Sequence, residues 1–337
     1  VGGGQAAAQA IQTLQQNKYE GSITLVGEEI YPPYQRPPLS KKYMAGELQR
    51  ERLFLRPLKF YESNNIDLEL GTRAIELDLG NSHVRLNNDR LLKFNGLMLA
   101  TGSKVRRLKV PGSDLDGIHY VRTLADVDEI LPKLKKAKKL VIIGAGYIGL
   151  EVAAVSISTG LDVIVLEATE RVMSRTVSTE VSNFYSRYHT KAGVNLKYLT
   201  TVSHFEGNKK VTAVETADGQ KLACDLVGVG IGIEPDVELA ETAGLPCKDG
   251  IIVDEFACTE GQNIFAAGDC TNHPNQLLSK RIRLESVQNA IDQAKAGIQT
   301  FLGEKTPYKT VPWFWSDQYD LKLQIAGLSE GYDQIVV

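Results

Sequence analysis

Apolar residues gather in short runs along this chain, and glycine-rich turns follow several of them. Leu140-Val141-Ile142-Ile143 has no polar position, the pattern of a parallel strand buried on both faces. Gly144-Ala145-Gly146-Tyr147-Ile148-Gly149 follows at once, and a helical stretch from about Leu150 to Thr159 is closed by Gly160. The next apolar run, Val163-Ile164-Val165-Leu166, delivers Glu167 at its end. A similar order opens the chain. Gly2-x-Gly4-x-x-Ala7 starts a helix that reaches about Asn17, and the strand Ser22-Ile23-Thr24-Leu25-Val26 ends at Gly27-Glu28-Glu29. No strand precedes the first glycines, so that end reads as trimmed; the run Ile335-Val336-Val337 reads as a strand cut short. Leu97 to Gly102, Val227 to Gly232 and Asn263 to Asp269 are three further apolar runs, the first two ending in small-residue turns and the last presenting a carboxylate.

A length of 337 residues suits two domains, or three if one is incomplete. Hydrophobic residues at 43% and charged residues at 23% exclude a disordered chain and a collagen-like fibre. No apolar run approaches the roughly 20 residues of a membrane-spanning helix. With 38 Lys+Arg against 41 Asp+Glu the net charge is -3, which argues against nucleic-acid binding through bulk positive charge. Cys224, Cys247, Cys258 and Cys270 include no C-x-x-C pair, so neither a disulfide scaffold nor a zinc site is expected. They read as small buried residues in a reducing, cytoplasmic setting. His83, His119, His189, His204 and His273 are dispersed and suggest no metal.

The two glycine units have a specific chemistry. Small residues let the backbone approach a pyrophosphate, and the helix N-terminus behind them offers free N–H donors and the positive end of its dipole. Gly2, Gly4 and Ala7 form one candidate turn, and Gly144, Gly146, Ile148 and Gly149 the other. An acid ending the second strand accepts bonds from ribose hydroxyls; Glu28 and Glu167 hold that position. Glu167, with Ala168-Thr169-Glu170 before the first arginine, favours NAD over NADP because a carboxylate repels a 2′-phosphate. Two units imply two dinucleotides, best known as a flavin and a nicotinamide. Ala100, Thr101, Gly102, Gly230 and Gly232 are further candidate contacts, and Asp269 can bond a flavin ribityl hydroxyl.

These segments resemble the FAD- and NAD-dependent two-dinucleotide-fold oxidoreductases, and within them the ferredoxin reductases of oxygenase systems, the putidaredoxin reductase type. The most specific strings are RPPLSK (Arg36 to Lys41), RLESVQNAIDQA (Arg283 to Ala294, including the candidate contact Val287) and PWFWSDQYDLKLQIAGLSEGYD (Pro312 to Asp333). The resemblance implies an α/β chain with two Rossmann-like domains of glutathione reductase type. An FAD domain would comprise 1–112 and 246–310, an NAD domain 113–245, and 311–337 would start a C-terminal α+β domain. It implies FAD contacts at Arg36, Lys41 and Arg106, and a Lys41–Glu151 ion pair at the flavin–nicotinamide junction. It sets Trp315 beside the isoalloxazine. Implied too is an NADH-dependent enzyme that passes electrons through FAD to a 2Fe–2S ferredoxin. Lys280, Arg281 and Arg283, with Trp315, are the candidate docking patch for that acidic partner. A redox-dithiol reductase would need a cysteine pair near the flavin, and Gln35 to Arg56 has no cysteine. An NADH:rubredoxin reductase and a flavoprotein acting through partner binding, like apoptosis-inducing factor, are the other readings.

Overall fold

The computed structural model describes residues 1–337. The all-apolar run becomes the strand Lys139–Ile143, at the centre of a five-stranded parallel sheet. Asp162–Leu166 and then Asn195–Lys197 lie on one side of it, and Leu226–Val229 and then Ile118–Tyr120 on the other. Val141 and Ile142 are each 1% exposed because the sheet is covered on both faces. Each such side chain contributes about 1.5–3 kcal/mol through burial. The helix Tyr147–Ser158 starts three residues before the sequence reading put it, since the glycine turn itself supplies its N-cap, Gly146.

The first glycine unit belongs to a second parallel layer made of two strand pairs. Ile23–Gly27 pairs with Ile66–Leu70, and Leu97–Leu99 with Ile264–Ala266. Val1 and Gly2 bridge the pairs: Gly2 N–H donates to Val26 O at 2.8 Å, and Ala100 N–H to Val1 O at 2.7 Å. The helices Gln5–Gln16 and Val287–Phe301 pack through small residues, with Ala6, Ala7, Ala10, Ala290 and Ala294 in one core cluster. An antiparallel ladder between Ser103–Val105 and Ile233–Pro235 ties the two layers together. Near the end of the chain Trp313–Gln318 and Leu321–Ala326 form a hairpin, whereas Ile335, Val336 and Val337 lie exposed outside any strand. No helix is long and apolar enough to cross a membrane.

His273, on the strand Thr271–Asn275 of a separate three-stranded sheet, is 1% exposed, stacks edge-on against Tyr308 at 5.1 Å, and neither of its ring nitrogens has a hydrogen-bond partner. Burial, helped by Arg281, pushes its pKa down from 6.5 to about 4. The unfolded chain therefore takes up this proton before the folded one does. The associated stability is intact above about pH 6.5 and is lost as the pH falls toward 4. Burial also lowers His119 and His189. Acidification from about pH 7 to 5 should remove on the order of 2 kcal/mol through His273 alone. Urea denaturation should show a shallower loss for His273→Phe; an identical acid limb would rule His273 out as a source.

Candidate active site

A single cavity of about 2000 Å³ opens along both glycine turns. Gly2, Gly4, Glu28, Arg36, Lys41, Ala100, Thr101, Gly102, Arg106, Asp269 and Val287 line it, together with Gly144, Gly146, Ile148, Glu151, Glu167, Gly230, Gly232 and Trp315. Ala7 and Gly149, expected as contacts, do not. Both are packing positions. Ala7 sits in the helix–helix core, and a Cβ on Gly149 would lie 2.0 Å from Gly144 O.

The turns fit dinucleotides by a simple test. Gly2 and Gly144 are glycine because of their φ of 120° and 97° and because a Cβ would strike Ala100 O at 2.0 Å and Gly230 O at 2.4 Å. Gly4 and Gly146 have neither constraint: a Cβ there would meet nothing within 4 Å. Each is the N-cap of a 12-residue helix, with no side chain accepting from the first-turn N–H groups. The open space and unmet donors together suit a pyrophosphate at each turn.

Glu167 is already engaged. Its Oε2 accepts from Ala145 N–H at 2.7 Å and its Oε1 from the N–H and hydroxyl of Thr169, both at 2.8 Å. It therefore braces the second glycine turn, while a carboxylate keeps lone pairs free for a ribose hydroxyl. Glu28 is exposed, with Arg73 at 4.0 Å.

Between the turns stands a buried ion pair. Glu151, on the helix behind the second turn, is 2% exposed, and Lys41 Nζ lies 2.8 Å from its Oε2. Ser40 Oγ donates to the same oxygen at 2.5 Å and Ser316 Oγ to Oε1 at 2.6 Å. Burial pushes the carboxyl above its usual range, and Lys41 and the two hydroxyls oppose that shift. Lys41 also donates to Pro37 O, which fixes its stem in the short Pro37–Ser40 turn. Phe314 packs on Tyr147 with ring centres 4.6 Å apart, and Trp315 stacks on Trp313 at 5.1 Å.

Asp269 receives Ser103 Oγ at 2.9 Å and Arg122 Nη2 at 3.1 Å. Arg122 was missed in the sequence: it precedes a helix N-cap and belongs to no quoted string. Its carbonyl also accepts from Arg36 Nη1, whose other Nη bonds Glu29. Thr101 points its hydroxyl to Asp236 O, and Arg106 lies 3.3 Å from Glu234. Ser40, Ser316 and Gln318 were also missed, although Ser40 lies inside RPPLSK and the other two inside FWSDQ.

The cations of the expected basic patch have partners within the chain. Lys280 pairs with Glu330, and Arg283 with Asp249 at 2.9 Å and Glu285 at 2.6 Å. Arg281 donates to Val253 O and Asn272. The three cations line the cavity, Lys280 and Arg283 ion-paired with carboxylates and Arg281 bonded only to neutral oxygens. No cysteine lines the cavity. Folding does bring Asp116, His119 and Glu129 together, and His204, Glu206 and Glu215. Lys133 already sits on Asp116 and Glu129, and Lys221 on Glu206.

The glycine argument separates binding from folding. Gly146→Asp keeps a favoured N-cap residue yet fills the open cradle with negative charge. It should leave the melting temperature unchanged while weakening NADH at least about tenfold in a fluorescence titration. Gly149→Ala should instead lower the melting temperature. Equal effects of both substitutions would defeat the assignment of the cradle.

Residues 1–294 match the family described as pyridine nucleotide-disulphide oxidoreductase, and residues 313–337 match a reductase C-terminal domain. Rhodocoxin reductase of Rhodococcus erythropolis is 43% identical over 338 residues, covering 100% of this chain and 79% of its own length. A solved ferredoxin reductase from Rhodopseudomonas palustris superposes with a TM-score of 0.97 at 41% identity, over 100% of this chain and 83% of that one. A chain of the covalent putidaredoxin reductase–putidaredoxin complex gives 0.96 at 40% identity, over 99% and 81%. With a continuous family match through both glycine units and the strands around them, the chain belongs to the pyridine nucleotide-disulphide oxidoreductase family.

Proposed function

We propose that this chain is an NADH-dependent flavoprotein reductase that passes electrons through FAD to a 2Fe–2S ferredoxin serving an oxygenase. The observation that carries the reading is one cavity joining two pyrophosphate-type turns, with the buried Lys41–Glu151 pair between them and no cysteine in its walls. FAD, when bound, supplies the conversion of a two-electron hydride into single electrons. The protein's residues bind, orient and set charge. Lys41 holds positive charge where reduced flavin becomes anionic. Glu151 fixes that ammonium and offers a carboxylate toward the nicotinamide side. Asp269, held by Ser103 and Arg122, serves the ribityl chain, and the Trp313–Trp315 stack lines the way out. The division that fits is an FAD domain of 1–112 and 246–310, an NAD domain of 113–245, and a C-terminal part from 311. The strand pairing of Leu97–Leu99 with Ile264–Ala266 and the continuous sheet from Ile118 to Val229 support it.

Cofactor choice rests on Glu167. NADH should exceed NADPH by at least about tenfold in kcat/KM, roughly 1.4 kcal/mol. Glu167→Gln removes the charge that repels a 2′-phosphate and keeps one acceptor oxygen, enough for either the Ala145 donor or the Thr169 donors but not both. Steady-state kinetics should show the gap narrowing through better NADPH use. A gap left unchanged would move the discrimination elsewhere.

The docking surface in this reading is the cavity rim at Lys280, Arg281, Arg283 and Trp315. Because Lys280 and Arg283 are ion-paired within the chain and only Arg281 is without a carboxylate partner, long-range steering is weakened, and the ferredoxin on-rate should depend only modestly on salt. Lys280→Glu should raise the ferredoxin KM several-fold and leave NADH-driven ferricyanide reduction unchanged. An unchanged ferredoxin KM would move docking away from this rim, and failure of ferredoxin reduction by the wild-type protein would sink the function itself.

A further inference from the structure

Ser316, the second hydroxyl on Glu151, is itself the end of a longer chain. It is fully buried and has a single proton, which it gives to the carboxylate at 2.6 Å. Its oxygen must therefore accept, and Gln318 Nε2 donates to it at 3.1 Å. That orientation of the amide is forced. Turned over, Ser316 would face two acceptors with one proton. Gln318 Oε1 lies 2.8 Å from His189 Nε2, so this nitrogen carries the proton. Burial disfavours a charged imidazole here, so Nδ1 is the acceptor, and Tyr319 donates its hydroxyl to it at 3.0 Å. Tyr319 holds this place at a φ of 55°, in the left-handed region that bulky side chains avoid.

We propose that Tyr319, His189, Gln318 and Ser316 form a one-way hydrogen-bond chain that keeps the Glu151 carboxylate ionised and fixed against Lys41, which makes them positioning residues for the redox centre. Every donor along the chain points toward the carboxylate, so the bond dipoles add and end on the negative charge. The common direction is set by the acceptor-only carboxylate at the end of the chain. The chain crosses three elements far apart in sequence: the helix Thr179–Lys191, the terminal hairpin and the helix Tyr147–Ser158. Rings add to the anchorage, since Tyr319 packs on both His189 and Tyr188. The titratable groups facing Glu151 are Lys41 from the Pro37–Ser40 turn and Tyr147 from its own helix. The importance of the chain for electron transfer rests on the flavin placement proposed above, whereas its effect on Glu151 does not.

The test is an infrared pH titration of the Glu151 carboxylate in the purified flavoprotein, assigned by its loss in Glu151→Gln. Ser316→Ala should raise the midpoint by about one pH unit or more, the scale of one hydrogen bond to an anion, and Gln318→Leu by a smaller but measurable amount, because it removes only the polarisation of the Ser316 hydroxyl. Both should raise the flavin midpoint potential as negative charge leaves, whereas Lys41→Met should lower it. In the Glu151→Gln background Gln318→Leu should add nothing to the potential. A midpoint unchanged in both variants, with only stability lost, overturns the proposal. Ser316→Ala alone decides if Gln318→Leu does not fold, because it removes one oxygen from a packed site. A shifted carboxylate with an unmoved potential upholds the chain and rejects instead the placement of Glu151 beside the flavin.

Discussion

Burying a carboxylate as deeply as Glu151 is unfavourable, since desolvation of an unpaired ion costs several kcal/mol even after relaxation. Its surroundings are therefore closely specified. Lys41 supplies opposite charge at 2.8 Å, and Ser40 and Ser316 supply hydroxyl donors. These groups come from the second layer of the fold and from the terminal hairpin, 111 and 165 residues away for the two serines. Removing any one leaves an under-satisfied charge in the interior. The position of the RPPLSK turn, the start of the second nucleotide helix and the seat of the hairpin are thus linked through one side chain.

The two dinucleotide turns reach the same geometry by the same division of labour. Gly2 and Gly144 meet a backbone constraint, and Gly149 a packing one. Gly4 and Gly146 meet neither, and their missing side chains leave the helix N-termini open. Open space and free N–H donors there suit a bound pyrophosphate, so packing agrees with the motif. The strands behind the turns are buried on both sides, so the turns are held rigidly, and Glu167 adds a brace across the second one.

Charge is arranged for short range. A net charge of -3 gives no long-range attraction for an acidic protein partner, and the rim cations are matched by Glu330, Asp249 and Glu285. Within the cavity the Lys41–Glu151 pair is shielded from water, so small changes in its hydrogen bonding alter the potential felt by a bound redox group.

Much of this was readable in the chain. The second unit from Leu140 to Glu167 was legible because all its determinants are local: an apolar run, glycines at fixed spacing, a helix and an acid. The first unit was legible down to Glu28 for the same reason. Lys41 and Glu151 were legible only through resemblance, because nothing near either residue names the other. Arg122, Ser316, Gln318 and His189 acquire meaning only when distant segments fold together. Tertiary structure also gave partners to one local cluster, since Lys280 and Arg283 meet Glu330 and Asp249 only after folding. Local spacing determined the nucleotide turns by itself; which charges are buried and paired was decided by the packing of segments distant in sequence, because solvation and pairing belong to neighbours in space.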